Sequence, residues 1–292
     1  MPAEREGWVD VDGFRTWYRV VGDLHASRLP LLCLHGGPGS TSAYHTRLEA
    51  LADERAVIRY DQLGSGHSQQ PPDPHWTLPL FRAEVRAVRD ALGLDCAHVL
   101  GTSWGGMLAL EHALDRPATV ASLVLSSTLA SSEQWTAEVR KLRDAMPSEV
   151  VAVFDEADRT QRWEGPQWEA ADEAFSQRHF FRGADKTEVE AMREGRSAEA
   201  YEEMWGPSEW LATGELAGWD VRDRLAEIEV PALVIRGAHD LCTPPVAETL
   251  VRGIRGARLV VFEQSSHTPV LEETERYLGV VRAFLHDAEA HA

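Results

Sequence analysis

Cysteine is scarce in this sequence. Cys33, Cys96 and Cys242 are scattered through 292 positions with no C-x-x-C spacing. An odd, dispersed set argues against a disulfide framework and a thiolate metal centre, and reads as buried or bystander thiols of a reducing compartment. Positive charge is also short: 29 Lys and Arg stand against 47 Asp and Glu, a net charge of −18. Such a chain is repelled by polyanions, which argues against nucleic acid as a partner. The surplus acid serves solubility, or it sets a field that favours cationic ligands. No stretch approaches the roughly 18–20 apolar residues of a membrane helix. The start, MPAEREGWVDVDG, is acidic and lacks a basic stretch followed by an apolar run. Neither a membrane partner nor a secretory signal is expected, and a cytoplasmic location is the default. Internal repeats and low-complexity tracts are absent too.

What is present is an ordinary globular balance, 43% hydrophobic and 26% charged, on a chain too long for one minimal core. That length suits one large α/β domain carrying an insertion. Residues 8–11 and 15–20 read as a hairpin around Asp12-Gly13. The runs 31–35 (LLCLH), 56–60 (AVIRY), 98–101 (HVLG) and 120–125 (VASLVL) are continuous and apolar, as in strands buried on both faces. Residues 80–92 and 107–114 between them have helical apolar spacing. This alternation predicts a mostly parallel sheet flanked by helices. Beyond residue 130 the pattern changes. Residues 131–219 hold 20 Asp and Glu against 10 Lys and Arg, six of the ten tryptophans, and no clear buried strand. Strand patterns return at 232–236 (ALVIR) and 258–262 (RLVVF), with helices at 244–254 and 272–284. The division expected is a core in two parts, 1–130 and 220–292, with a helical cap at 131–219. The cap tryptophans pack its core or face a cleft.

The strongest local signal is Gly101-Thr102-Ser103-Trp104-Gly105-Gly106, between the strand HVL and the helical stretch MLALEHAL. A G-x-S-x-G at a strand-to-helix turn is the nucleophile elbow of the α/β-hydrolase fold. The serine sits on a strained turn where neighbouring side chains would collide, and Gly101 and Gly105 remove them. Ser103 is the candidate nucleophile. The Trp104 N–H, at the new helix terminus, suits a developing oxyanion.

A serine hydroxyl needs a base, and the base an orienting acid, in the chain order Ser, Asp or Glu, His. ALVIR runs into Gly237-Ala238-His239-Asp240, making Asp240 the candidate acid. RLVVF runs into Glu263-Gln264-Ser265-Ser266-His267, making His267 the candidate base. His239 should point elsewhere, and Cys242, two residues past the acid, is read as packing. LLCLH runs into Gly36-Gly37-Pro38-Gly39, and the Gly37 N–H is the candidate second oxyanion donor. No lysine follows and the spacing is neither G-x-G-x-x-G nor Walker A, so phosphate binding is set aside. His35 reads as a buried structural histidine. Acyl transfer on this triad requires neither a metal nor an organic cofactor.

HGGPG, DQLGSGHS at 61–68, GTSWGG, GAHD and SSH together resemble the proline iminopeptidase family over nearly the whole chain. The resemblance implies an α/β-hydrolase domain with a helical cap, and cleavage of an amide next to a free α-amino group. The substrate implied is a short peptide or an amino acid amide. YEEMWGPSEW at 201–210 is similar to the branch of tricorn-interacting aminopeptidases and L-amino acid amidases, which implies that Glu209 binds the substrate's amine. Two departures stand out. Leu241 occupies the place of a second glutamate anchor, and Leu63 that of an arginine. They leave a small-molecule esterase or lactonase on the same triad as the alternative, and a non-turning-over ligand sensor as a third reading. Asp61 and Gln62 are expected to organise the turn beside the site.

Overall fold

The apolar runs become the middle of one eight-stranded sheet in the computed structural model, which describes residues 3–290. In chain order the strands are β1 (Glu4–Val11), β2 (Phe14–Val21), β3 (Leu31–Leu34), β4 (Val57–Tyr60), β5 (Ala97–Thr102), β6 (Val120–Ser126), β7 (Ala232–Gly237) and β8 (Arg258–Phe262). They lie in the order β1-β2-β4-β3-β5-β6-β7-β8. The β1–β2 and β2–β4 pairs are antiparallel and the rest parallel. Every residue of β3, β5 and β7 is buried, as their unbroken apolar character requires of strands covered on both faces.

The helices are α1 (Leu78–Leu92), α2 (Trp104–Asp115), α3 (Ser132–Asp144), α4 (Ser148–Thr160), α5 (Pro166–His179), α6 (Lys186–Arg193), α7 (Ala198–Met204), α8 (Pro244–Gly253), α9 (Pro269–Glu272) and α10 (Thr274–Ala290). One face of the sheet packs on α1, α2 and α8 through residues such as Phe81, Leu108 and Val246. The other packs on α10 and a 3₁₀ segment, Ala43–Asp53, through Leu48, Leu51, Tyr277 and Phe284. That segment was not expected. The terminal helix is also divided. Glu273 between α9 and α10 is non-helical (φ −134°, ψ 51°), and its carboxylate accepts from Ser265 Oγ at 2.6 Å. Strand β1 begins earlier than its apolar pattern, because Glu4 and Glu6 pair with Arg19 on β2 at 2.8 and 2.6 Å.

Between β6 and β7 the chain forms only helices, α3 to α7, among its regular elements. It leaves and returns at one place. Ser131 and Asp220 form an isolated antiparallel bridge, and the Ser132 N–H donates to the Trp219 carbonyl at 2.9 Å. The tryptophans serve both expected purposes. Trp210 packs against Phe154 (4.7 Å between centroids) and Phe175, while Trp168 and Trp210 also face a cavity beside Ser103. Among the described residues no helix is long and apolar enough to cross a membrane.

Candidate active site

Ser103 joins β5 to α2 at φ 54° and ψ −122°. Such a conformation costs about 1–3 kcal/mol in a non-glycine residue and persists only when its surroundings dictate it. Here they do. The Ser103 N–H donates to the Ser126 carbonyl at 2.9 Å, and its carbonyl accepts from the Gly106 N–H (2.8 Å) and Thr128 Oγ1 (2.6 Å). A Cβ on Gly105 would lie 2.0 Å from the Leu34 oxygen, and one on Gly101 2.2 Å from the Gly105 oxygen. The glycines are there because the backbones touch.

His267 lies between β8 and α9, and Asp240 follows β7. The two meet at 2.6 Å between Nδ1 and Oδ1. Asp240 Oδ1 also accepts the Cys242 N–H at 2.9 Å, and Oδ2 the Gly237 N–H at 3.3 Å. Held by two backbone donors, the carboxylate is an acceptor, so the proton of the pair sits on His267 Nδ1 and leaves Nε2 with its lone pair. Burial disfavours the imidazolium, but the charge and hydrogen bond of Asp240 override it and raise the His267 pKa above its ordinary value. The edges of Trp135 and Phe180 enclose the ring at 5.9 and 4.9 Å between centroids. His239 is exposed, and Cys242 is fully buried with Sγ against the Thr128 carbonyl.

The loop after β3 is pinned by a buried polar network. The Gln62 N–H donates to His35 Nε2 at 2.9 Å, so His35 carries its proton on Nδ1 and donates to the Gly36 carbonyl at 2.8 Å. Burial lowers the His35 pKa and keeps the ring neutral. Gln62 Oε1 accepts the Trp104 indole N–H at 2.8 Å, and Tyr44 Oη accepts the Gly36 N–H at 2.6 Å. Asp61 receives Ser42 and His67. The loop of Gly37 is thereby fixed relative to the elbow, as the reading of Asp61 and Gln62 anticipated. Trp104 is the first residue of α2, and its N–H has no carbonyl one turn earlier in that helix to bond.

A cavity of about 430 Å³ opens above these groups, lined by Ser103, His267, Gly37 and Glu209 among others. A smaller recess is walled by Ser103, Gly37, Trp104, Trp135 and Glu209. Glu209 sits on a turn after α7 fixed by the Trp205 indole, which donates to the Ser208 carbonyl at 3.0 Å. Its Oε1 accepts from Tyr201 Oη at 2.7 Å and its Oε2 from Trp135 Nε1 at 3.2 Å. Burial and the neighbouring Glu209 charge push the Tyr201 pKa well up, so Tyr201 stays a donor. All six residues singled out in the sequence thus gather at one end of the sheet, with Asp240 beneath His267. Leu241 is fully buried and presents nothing to the cavity. Sequence reasoning missed Tyr201 and Thr128 and met Trp135 only as one of six tryptophans in residues 131–219; Tyr201 carried a signal as the first residue of the YEEMWGPSEW stretch.

The fold and this constellation define a hydrolase of the α/β class. A family model described as alpha/beta hydrolase fold matches residues 30–274. Within that class the chain belongs to the proline iminopeptidase family. A proline iminopeptidase of Levilactobacillus brevis is 39% identical over 279 residues, covering 94% of this chain and 93% of that one. The crystal structure of a proline iminopeptidase of Mycobacterium smegmatis is 36% identical, with a TM-score of 0.89 over 98% of this chain and 99% of the other. The crystal structure of VinJ is 35% identical, with a TM-score of 0.93 over 99% of this chain and all of the other. The protein is a hydrolase of the aminopeptidase kind.

Proposed function

We propose that the enzyme releases the first residue of short peptides, or the acyl part of amino acid amides, through an acyl-enzyme on Ser103. His267, held by Asp240, takes the hydroxyl proton as Ser103 Oγ bonds to the substrate carbonyl carbon. The Gly37 and Trp104 N–H groups receive the oxyanion. His267 then gives its proton to the leaving nitrogen as the C–N bond breaks. A water molecule repeats the sequence: its oxygen bonds to the acyl carbon, its proton passes through His267 back to Ser103, and the amino acid leaves. Residues 131–219 act as the cap that excludes bulk water and restricts substrates to short ones.

The observation that carries this reading is the recess. Glu209 lines it together with Ser103, Gly37 and Trp104, which supports an α-ammonium held by this carboxylate next to the scissile carbonyl. The proline iminopeptidase relatives support an N-terminal residue, proline included, as the acyl group. Turnover of an aminoacyl anilide and its N-acetyl form, in wild type and Glu209→Gln, tests it. The expected result is a strong loss on acetylation that the variant largely abolishes. Equal turnover of the two anilides by wild type would refute amine recognition and favour a general esterase or lactonase.

A further inference from the structure

A second carboxylate on the cavity wall is left unused by the chemistry above. Asp172, on α5, lines the cavity together with Glu209. The residue is exposed to solvent, yet neighbouring protein crowds the carboxylate enough to disfavour its charge. It makes no hydrogen bond or ion pair with any of the described residues; Glu169, another carboxylate of the wall, makes none either, but the remaining two are engaged. Glu173 holds Arg193 at 2.9 Å, and both oxygens of Glu209 are taken by Tyr201 and Trp135. Asp172 and Glu209 are close enough to repel. That crowding raises the Asp172 pKa above its ordinary value and the Glu209 charge adds to it, while Arg193 and Arg196, which line the same cavity, oppose it.

Two carboxylates facing one space, with no proton or hydrogen bond shared between them, disfavour each other's charge. A cation between them removes that repulsion and gains from both. The cation the chemistry brings to this cavity is the substrate's own α-ammonium. Building on the aminopeptidase reading, we propose that Asp172 is a second, longer-range anchor for the α-ammonium, facing Glu209 across the cavity and sharpening selection for substrates with an unblocked amine. Asp172 does not touch the reacting carbonyl, so its contribution belongs in KM, with kcat nearly unchanged.

The test compares alanyl anilide with lactoyl anilide, its uncharged hydroxyl isostere, and with lysyl anilide, in wild type, Asp172→Asn, Asp172→Glu and Glu209→Gln. Asp172→Asn should raise KM for alanyl anilide by about threefold to fivefold, the scale of a solvent-screened charge pair, and leave KM for lactoyl anilide unchanged. Asp172→Glu, which keeps the charge, should recover part of the loss. Asn effects that are absent, or equal for the two substrates, would overturn the assignment, as would an effect confined to lysyl anilide, which would move the cation to a substrate side chain. Turnover of the lactoyl compound reports an intact site and separates these results from misfolding. If Glu209→Gln discriminates the two substrates and Asp172→Asn does not, only this inference fails. If neither does, amine recognition itself fails.

Discussion

The Asp240–His267 pair yields the sharpest prediction, because its hydrogen bonds say how an asparagine would sit. Asp240 Oδ1 accepts two short bonds, from His267 Nδ1 at 2.6 Å and Cys242 N at 2.9 Å, whereas Oδ2 accepts one long bond from Gly237 N at 3.3 Å. In Asp240→Asn the amide oxygen should therefore take the Oδ1 place and the NH₂ the Oδ2 place, giving up only the weakest bond. The proton then stays on His267 Nδ1 and the base keeps its lone pair on Nε2. What is lost is charge. A unit pair about 4 Å apart at an effective dielectric near 20 is worth about 4 kcal/mol. At 1.36 kcal/mol per decade this lowers kcat by about 10³-fold. Because Asp240 is what holds the His267 pKa up against burial, the acid limb of kcat/KM should also move to lower pH. Steady-state kinetics on an aminoacyl anilide across pH 4–9 would read both. A loss below about tenfold, or a limb that stays in place, would refute the role given to the carboxylate.

Two further outcomes follow from groups outside the triad. Tyr201→Phe removes the 2.7 Å bond to Glu209 and frees that carboxylate, so KM for a free-amine anilide should rise about threefold to tenfold while the N-acetyl compound is unaffected. Matched Michaelis–Menten curves on the two anilides would show it. Glu84 on α1 is fully buried, accepts from Thr16 Oγ1 and the Leu63 N–H, and has its second oxygen unpaired. Burial pushes its pKa from 4.5 to about 8. Between those values the folded state holds a proton that the unfolded chain has released, so stability falls as pH rises, by at most about 1.4 kcal/mol per pH unit. Glu84→Gln keeps both acceptor bonds and cannot ionise, so its urea midpoint should lose that slope and exceed wild type at pH 9 relative to pH 6.

The three candidate triad residues could be singled out in the sequence because each stands where an apolar run stops. Ser103, Asp240 and His267 follow HVLGT, ALVIRG and RLVVF, and a strand's end in a parallel sheet is a place in space as well as in sequence. Gly37 was singled out by the same rule. Glu209 was visible only through its resemblance, since nothing in GPSEW distinguishes it from the 19 other acids of residues 131–219. What holds it could not be read: Trp135 lies 74 positions away and reaches it across the cap. Asp172 is hidden for the same reason. Its significance comes from facing a cavity, and cavities arise where helices fail to fill space, which no local pattern encodes. The 3₁₀ segment Ala43–Asp53 escaped although its buried residues, Tyr44, His45, Leu48, Leu51 and Ala52, share one helical face, because only Leu48 and Leu51 among them are strongly apolar.

The acidity of residues 131–219 bears on the proposed chemistry through very few of their groups. Charges on their outer surface are screened within about 8 Å at physiological salt, so most of the 20 acids leave no field at Ser103. Glu209 is different: its charge is among those that raise the His267 pKa. An empty site therefore favours the protonated histidine, which cannot act as base. Binding of an α-ammonium at Glu209 cancels that influence, and the imidazole sheds its proton more readily once substrate is present. The acid limb of kcat, which reports the complex, should lie at lower pH than that of kcat/KM, which reports the free enzyme. The separation should appear with alanyl anilide and vanish with lactoyl anilide, which brings no positive charge. Coincident limbs for the ammonium substrate would mean that the carboxylate and the base do not sense each other, and that Glu209 stands too far from the reacting centre to hold the amine of the residue being cleaved.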